Sequence, residues 1–363
     1  MSVTPRAEIA TLPAYKPGRN PADLAAELGL AGAMKLASNE VAFPPLPSVV
    51  AAVAEAATEM NRYPDNGAVH LTAALAERYG LDPGQLAVGC GSVSLCQQLL
   101  QAYAGPGDDV IFAWRSFEAY PLLVTVSGAR PVMVPLKERF DHDLDAMVEA
   151  ITDRTRVVFV CNPNNPTGTA IHREPLNAFL DRVPDHVLVV LDEAYREFVT
   201  DPDVPDALSM LDGRRNVCVL RTFSKAYGLA GLRVGYLAAA DPAVAEAVRK
   251  TYVPFSVSTV AQVAAVASLA AEDELLARCK EVVAERERVI AALREIGVDV
   301  PDSQTNFVWL PLGEATMDFA RTGEGRGIIV RPFAGDGARV TIGTPAENDA
   351  FLGLAAEVVQ AGR

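Results

Sequence analysis

An apolar run that ends in an acid, Val187-Leu188-Val189-Val190-Leu191-Asp192, gives the first indication of the fold. Its apolar residues are continuous rather than alternating, which is typical of a strand covered on both faces. Similar runs occur at residues 86–89, 109–113, 131–136, 156–161, 216–220 and 234–238. Segments with helical periodicity lie between them, among them 94–103, 144–151 and 173–182. This alternation predicts an α/β fold, with a mostly parallel sheet and helices on both of its faces.

The last third of the chain has a different pattern. Residues 275–296 form a long helical pattern rich in Glu and Arg, and we expect charged residues such as Arg286 to lie on its exposed faces. Strand-like segments follow at 307–310, 328–330 and 339–342, before a last helix at 348–359. We therefore predict an N-terminal arm (1–32) that packs on the small domain, a large domain (33–250) and a smaller α+β C-terminal domain (251–363).

Composition excludes several classes of protein. The 363 residues carry 32 basic and 46 acidic side chains, a net charge of −14, which argues against binding nucleic acid or an anionic membrane through a basic face. The uncharged stretch 251–271 contains Pro254 and many alanines, so it predicts a helix of a soluble protein after Pro254 rather than a membrane span.

The cysteines and histidines indicate whether the protein has disulfides or a metal site. The five cysteines show no C-x-x-C spacing and the four histidines no H-E-x-x-H motif, which indicates free thiols and no metal site. The first 21 residues lack the apolar core of a signal peptide. We therefore expect a cytoplasmic protein.

Polar segments follow several predicted strands, where open α/β sheets bind ligands. Cys90-Gly91-Ser92-Val93-Ser94 is a glycine turn before a helix; it is either an ordinary capped turn or a set of backbone N–H groups for a phosphate. Residues 162–168 hold three asparagines in a loop stiffened by two prolines, which is either a plain turn or a frame for a polar ligand. Asp192 is either a helix N-cap or the partner of a cation.

Lys225 lies in Arg221-Thr222-Phe223-Ser224-Lys225-Ala226-Tyr227, eight residues before Arg233. Apolar neighbours desolvate an amine and lower its pKa, and the neutral amine is the nucleophile that forms Schiff bases. The two hydroxyl residues and the arginine could together hold a phosphate. The alternative is a surface lysine whose aliphatic stem packs on its neighbours.

Three of these motifs, in this order and spacing, resemble those of the fold type I pyridoxal-phosphate aminotransferases, and the resemblance covers nearly the whole chain. They are Asn165-Pro166-Thr167-Gly168, then Asp192 with Tyr195, then Ser224-Lys225 followed by Gly231 and Arg233. The resemblance implies a mostly parallel mixed sheet with a smaller α+β C-terminal domain. It also implies that pyridoxal 5′-phosphate is the cofactor.

The resemblance implies three catalytic residues. Lys225 would hold the cofactor as a Schiff base and, once released by substrate, would move a proton between Cα and the cofactor's C4′. Asp192 would keep the pyridinium nitrogen protonated. Tyr195, together with Asn165, would hydrogen-bond the 3′ oxygen of the ring.

The resemblance also implies the residues that bind cofactor and substrate. Phe117 would stack on the cofactor ring, and Arg339 would grip the substrate α-carboxylate at two points. Tyr63, in Asn61-Arg62-Tyr63-Pro64, would reach the phosphate of the neighbouring subunit, which implies a homodimer with shared active sites. The phosphate would otherwise be held by Thr222, Ser224, Arg233 and the backbone of Gly91, Ser92 and Val93.

Further segments resemble the subgroup that contains the histidinol-phosphate aminotransferases. They are Leu36-Ala37-Ser38-Asn39-Glu40, residues 61–64, Ser303-Gln304-Thr305-Asn306-Phe307 and Gly327-Ile328-Ile329-Val330-Arg331-Pro332. One branch acts on histidinol phosphate, and another transaminates aromatic amino acids with 2-oxoglutarate. The chain departs from the first branch: residues 91–98 lack its acidic segment, and Phe117 replaces a tyrosine. We therefore expect an aminotransferase for phenylalanine, tyrosine and tryptophan.

The expected substrate-binding residues are Arg339, Arg331, Asn39 and Tyr15. Arg331 and Tyr15 stand where the histidinol-phosphate enzymes contact the substrate phosphate, so that activity is the alternative. Arg331 could instead bind the distal carboxylate of glutamate. The amino acids and 2-oxo acids are the expected small-molecule partners.

Other classes share single features with this chain. A fold type I decarboxylase would also use Lys225 and Asp192, and released CO₂ would identify it. A regulator built on the same fold would need an added DNA-binding module, for which the chain has no spare length. A Rossmann dehydrogenase would need G-x-G-x-x-G, and the sequence has none in place.

Overall fold

The structure is a computed structural model that describes residues 3–12 and 19–361. Its strands are β1 (Met34–Lys35), β2 (Leu86–Gly89), β3 (Asp109–Trp114), β4 (Arg130–Pro135), β5 (Thr155–Cys161), β6 (Leu188–Asp192), β7 (Val217–Thr222), β8 (Gly235–Ala239), β9 (Phe307–Leu310), β10 (Ile328–Ile329), β11 (Arg331–Phe333) and β12 (Gly337–Thr341).

Helices connect most of these strands. They are α1 (Ala7–Ala10), α2 (Pro21–Leu28), α3 (Pro47–Ala56), α4 (Val69–Tyr79), α5 (Gly91–Tyr103), α6 (Ala119–Ser127), α7 (Leu144–Glu149), α8 (Arg173–Leu180), α9 (Pro242–Lys250), α10 (Thr259–Ala270), α11 (Glu272–Glu295), α12 (Thr316–Gly325) and α13 (Pro345–Ala361).

The large sheet has seven strands in the order β2-β8-β7-β6-β5-β3-β4. The strands from β7 to β4 are parallel, and β8 is antiparallel to both of its neighbours, β7 and β2. In the register, Asp192 lies between Cys161 of β5 and Leu220 of β7. The ends of the parallel strands therefore bring the predicted polar segments to one edge of the sheet, which confirms the predicted α/β class.

Both faces of the central strands of this sheet are buried, as the continuous apolar runs predict. In β6, Val189 and Leu191 belong to one hydrophobic cluster, whereas Leu188 and Val190 belong to another on the opposite face. The first cluster includes residues of α4, α7 and α8, and the second includes residues of α5, α6 and α9. A strand alternates its side chains between faces, so a strand between two helical layers is apolar at successive positions along its middle.

The small sheet has the order β11-β12-β9 and is antiparallel. The expectation that Arg286 lies on an exposed face of the long helix is wrong, because its side chain is fully buried. Its Nη1 donates hydrogen bonds to the carbonyl oxygens of Phe198 (2.9 Å) and Thr305 (3.1 Å). The guanidinium thus joins α11 to loops on both sides, which satisfies its buried donors.

The N-terminal segments pack on two parts of the molecule. Leu24 of α2 is buried against Ala37 and Ile329, close to the small sheet. Arg6, just before α1, instead donates a hydrogen bond to the carbonyl oxygen of Val126 in α6. The predicted helix after Pro254 is α10, and no helix in the described part of the chain is long and apolar enough to cross a membrane. The predicted domain boundaries stay a prediction.

Candidate active site

A cavity of about 600 Å³ lies where the parallel strands of the large sheet end. It is lined by predicted site residues from both the large sheet and the C-terminal region. These are Asn39, Ser92, Val93, Phe117, Asn165, Asp192, Tyr195, Thr222, Ser224, Lys225, Arg233, Arg331 and Arg339. The fold thus brings together residues that are up to 300 positions apart in the sequence.

One end of the cavity is built to hold an anion. Helix α5 begins at Gly91, whose φ of +76° suits glycine, and a Cβ there would lie 2.6 Å from Nη2 of Arg233. Nη1 of Arg233 donates to the carbonyl oxygen of Ala230 (3.0 Å) and lies 3.4 Å from Oγ of Ser224. The helix N-terminus, a guanidinium and the hydroxyl groups of Thr222 and Ser224 together match the donors that bind phosphate.

Asp192 is buried at the end of β6 and lines the same cavity. The hydroxyl of Tyr120 donates a 2.7 Å hydrogen bond to Oδ2. Oδ1 is also buried, and no described residue bonds to it. Burial raises the pKa of this carboxyl to about 6. A buried carboxylate oxygen that has no hydrogen-bond partner favours the binding of a cationic N–H donor.

Lys225 is partly buried on the loop that follows β7. Its Nζ donates a 3.1 Å hydrogen bond to the carbonyl oxygen of Ser38 and lies 6.0 Å from the centre of the Tyr195 ring. Burial, aided by the positive charge of Arg339, lowers the pKa of this amine to about 7. A large share of the amine is therefore neutral at physiological pH, the form that attacks a carbonyl.

Hydrogen bonds connect the remaining predicted site residues. Nδ2 of Asn39 donates to the Tyr195 hydroxyl (2.8 Å), and burial raises the pKa of that phenol, which keeps it a hydrogen-bond donor. Arg339 donates from Nη1 to Oδ1 of Asn165 and from Nη2 to the carbonyl oxygen of Ala37 (2.6 Å). The guanidinium lies 5.4 Å from the Phe307 ring centre. These bonds hold the planar guanidinium in a fixed position at the wall of the cavity.

Glu118 and Tyr120 also belong to this site, although the sequence analysis assigned neither of them a role. Glu118 lines the cavity and forms a bidentate ion pair with Arg331. Tyr120 holds Asp192 and stacks on Phe159, with 4.6 Å between the ring centres. Both belong to the segment that contains Phe117, and the alternation of charged and aromatic residues there was the only available signal.

Three predicted residues are not among those that line the cavity: Gly91, which directly precedes the lining residue Ser92, Tyr63 and Tyr15. Tyr63 is 82% exposed and stacks on Phe255, with 4.7 Å between ring centres. Tyr15 lies outside the described residues. Across the described residues, no group of three or more His, Cys, Asp or Glu side chains is placed to hold a metal ion.

Comparison with known proteins gives consistent matches. Residues 31–353 match the family model "Aminotransferase class I and II". The chain is 60% identical to an aromatic amino acid aminotransferase of Streptomyces avermitilis, over 96% of this chain and 95% of that protein. It is 59% identical to one from Thermobifida fusca, over 96% of each.

Solved structures show the same architecture. The histidinol-phosphate aminotransferase of Sinorhizobium meliloti, solved in complex with pyridoxal-5′-phosphate, superposes with a TM-score of 0.88. That protein is 30% identical, and the match covers 99% of this chain and 98% of its own. An aspartate aminotransferase of Thermotoga maritima superposes with a TM-score of 0.85 at 22% identity, over 98% and 99% of the two chains, and shows the fold alone.

Proposed function

The chain belongs to the class I and II aminotransferases, and we propose that it transfers the amino group of aromatic L-amino acids to 2-oxoglutarate. The amino donors are phenylalanine, tyrosine and tryptophan. The donor exchanges its α-amino group and Cα hydrogen for the carbonyl oxygen of the acceptor, which yields an aromatic 2-oxo acid and L-glutamate. The exchange balances without an outside oxidant. The names of relatives at 55–60% identity support the aromatic donor.

The observation that carries this proposal is the placement of Lys225, Asp192 and Arg339 around one cavity. The residues fit pyridoxal 5′-phosphate, because Oδ1 of Asp192 is buried without a bond to any described residue. The glycine at position 91 also leaves room for Arg233 beside the start of α5. Thr222, Ser224, Arg233 and the start of α5 would hold the phosphate, and Asn165 and Tyr195 the ring oxygen.

Asp192 and Lys225 would have different roles in the reaction. When bound, the cofactor supplies an aldehyde that joins amines and a cationic ring that accepts the electron pair of a broken Cα–H bond. Asp192 would hold the ring nitrogen in its protonated form by charge pairing. Lys225 Nζ would hold the cofactor through its aldehyde, and as a free amine it would take the Cα proton as a general base and return one as an acid. A pKa near 7 suits both directions of this transfer.

Arg339 and an apolar part of the cavity wall would orient the substrate. The guanidinium of Arg339 meets the α-carboxylate, which every amino donor shares, through a planar two-point contact. Phe117, Leu122 and Leu123 line the cavity and give it an apolar surface that suits an aromatic side chain. Arg331 lies beside them with its charge paired to Glu118, so the wall presents little net charge to a neutral side chain.

We also propose that the active enzyme is a homodimer in which Tyr63 reaches the partner's site. Tyr63 and Phe255 form an exposed aromatic stack, and Met60 and Val253 nearby in the chain are 71% and 69% exposed. The two segments are tied by a hydrogen bond from the backbone N–H of Phe255 to Oδ1 of Asn66 (2.6 Å). An apolar surface on an ordered frame is typical of an interface between subunits.

Product analysis tests the proposed reaction. The purified, cofactor-loaded protein is incubated with phenylalanine and 2-oxoglutarate, and the products are identified by mass spectrometry while headspace CO₂ is measured. We expect phenylpyruvate and glutamate in equal amounts without CO₂. Phenethylamine with CO₂ would identify a decarboxylase instead. Turnover of histidinol phosphate but not of phenylalanine would assign the enzyme to the histidinol-phosphate branch.

A further inference from the structure

Glu118 and Arg331 form an ion pair in the wall of the cavity. Nε and Nη2 of Arg331 donate to Oε2 of Glu118 at 3.1 and 2.9 Å, and Nη2 also lies 3.0 Å from Oε1. The two residues are 213 positions apart, one at the start of α6 and the other in β11. This two-point geometry is the strongest form of a carboxylate–guanidinium pair.

Four cationic side chains line the described cavity, and the proposed function assigns a partner to three of them. Under the proposed function, Arg339 meets the α-carboxylate, Arg233 meets the cofactor phosphate, and Lys225 joins the cofactor. Arg331 is the remaining cation among the described residues that line the cavity. Its charge is available to a substrate side chain only when Glu118 releases it.

We propose that Glu118 determines which side chains the enzyme accepts, and this inference rests on the proposed function. With an aromatic substrate, the Glu118–Arg331 pair stays closed and the wall stays neutral. With 2-oxoglutarate or glutamate, the distal carboxylate competes with Glu118 for Arg331. Glu118 therefore weakens the binding of dicarboxylic and phosphate-bearing substrates relative to aromatic ones.

The surroundings of Glu118 allow this exchange. The side chains of Arg331 and Glu118 are 20% and 32% exposed, so water can solvate the displaced carboxylate. Glu118 precedes α6 but makes no capping hydrogen bond to the helix, so its carboxylate is not required to complete the helix end. The pair can open without breaking secondary structure.

Substitution of Glu118 by Gln removes the competing charge and keeps the side-chain size. Stopped-flow half-reactions of the loaded enzyme with glutamate and with phenylalanine give the apparent Kd for each donor. We expect Glu118→Gln to lower the Kd for glutamate about tenfold, the factor that corresponds to about 1.4 kcal/mol. The Kd for phenylalanine should not fall, because the unpaired Arg331 charge then faces a neutral side chain. The Glu118→Asp variant, which keeps the charge, retains most of the wild-type preference.

A second measurement needs no turnover. Glutarate and 3-phenylpropionate are the deamino analogues of glutamate and phenylalanine, and each is titrated against the loaded enzyme by its effect on the visible cofactor absorbance. Glu118→Gln should strengthen the binding of glutarate about tenfold and should not strengthen the binding of 3-phenylpropionate. The matched control is Glu246→Gln, which removes one negative charge from the exposed pair with Lys250 on α9 and should change neither ligand.

The outcomes separate this inference from the proposed function. If Glu118→Gln strengthens the binding of glutarate and of 3-phenylpropionate alike, or changes the affinity of neither, Glu118 does not control side-chain preference. If wild-type enzyme shows no half-reaction with phenylalanine, the proposed function fails, and the glutarate titration still reports whether Glu118 competes for Arg331.

Discussion

The hydroxyl of Tyr120 donates a 2.7 Å hydrogen bond to one carboxylate oxygen of Asp192, and the other oxygen has no partner among the described residues. Tyr120 is itself fully buried and stacks on Phe159 of the neighbouring strand β5. The phenol thus sets the orientation of Asp192 and lowers the pKa that burial raises. We infer that Tyr120 is a positioning residue for the contact between Asp192 and the cofactor nitrogen.

Substitution of Tyr120 by Phe keeps the stacked ring and removes this hydrogen bond. A hydrogen bond to a charged group contributes about 1.5–3 kcal/mol, so we expect cofactor affinity at pH 7 to fall by about tenfold or more. The pH dependence of the cofactor Kd should also shift to higher pH, because Asp192 then ionises less readily. Equilibrium titration from pH 5.5 to 9 measures both effects. An unchanged pH profile would assign Tyr120 a packing role only.

The steric role of Gly91 can be tested by comparison with Gly80, a glycine of similar φ that has no neighbouring side chain. Alanine at 91 would place its Cβ against Arg233, and at φ +76° it would also be strained. Gly80 has a similar φ of +65° but has nothing within 4 Å of the added Cβ. We expect Gly91→Ala to weaken cofactor binding by about tenfold or more, since strain and displacement at such sites cost about 1–3 kcal/mol. Gly80→Ala should lower the melting temperature but keep cofactor affinity. Equal affinities in the two variants would contradict a role for Gly91 in phosphate binding.

Lys225 should titrate near pH 7 in the cofactor-free protein. Competitive acetylation of Lys225, with N-acetyl-lysine amide as the reference amine, should therefore show a midpoint near pH 7 rather than near 10.5. The lowered pKa of Lys225 also makes the free energy of unfolding depend on pH. Between these pH values the unfolded chain holds the proton and the folded chain does not, so unfolding free energy rises with pH.

The Lys225→Met variant lacks this dependence. We therefore expect its stability advantage over wild type to be largest below pH 7 and to disappear as the pH approaches 10.5. Urea unfolding of both cofactor-free proteins at several pH values measures the difference. A difference that does not change with pH would show that burial does not perturb this amine.

The proposed dimer with shared sites predicts complementation between two inactive chains. Lys225→Ala lacks the amine, and Tyr63→Ala lacks the residue proposed to serve the partner's site. After random mixing, half of the dimers are hybrids with one complete site each, so activity should approach roughly a quarter of wild type. Activity no greater than that of the separate variants would show that Tyr63 serves its own chain.

The sequence predicted the large sheet well because its strands carry continuous apolar runs. The observed strands start and end within one or two residues of the predicted ones, as in β6. Strand β11 (Arg331–Phe333) was missed because it has three residues and contains Pro332, and proline is depleted in strands. Its pairing with β12 depends on contacts across the small sheet that no local pattern encodes.

The residues brought to the cavity were predicted from motifs, whereas their partners depend on tertiary contacts. The pairing of Glu118 with Arg331 and the hydrogen bond from Tyr120 to Asp192 join residues 213 and 72 positions apart. Arg286 was wrongly predicted to be exposed for the same reason. A charged residue on a helix is usually exposed, and the sequence does not show that the carbonyl groups of Phe198 and Thr305 accept hydrogen bonds from this one.

The most direct test of the account is the half-reaction of the loaded enzyme without 2-oxo acid. Phenylalanine is added to one sample and histidinol phosphate to another, and the loss of visible cofactor absorbance is followed in a stopped-flow instrument. The account predicts fast loss with phenylalanine and little or none with histidinol phosphate. Fast loss with histidinol phosphate alone would contradict the proposed specificity, and a protein that acquires no visible absorbance with pyridoxal 5′-phosphate would contradict the role of Lys225.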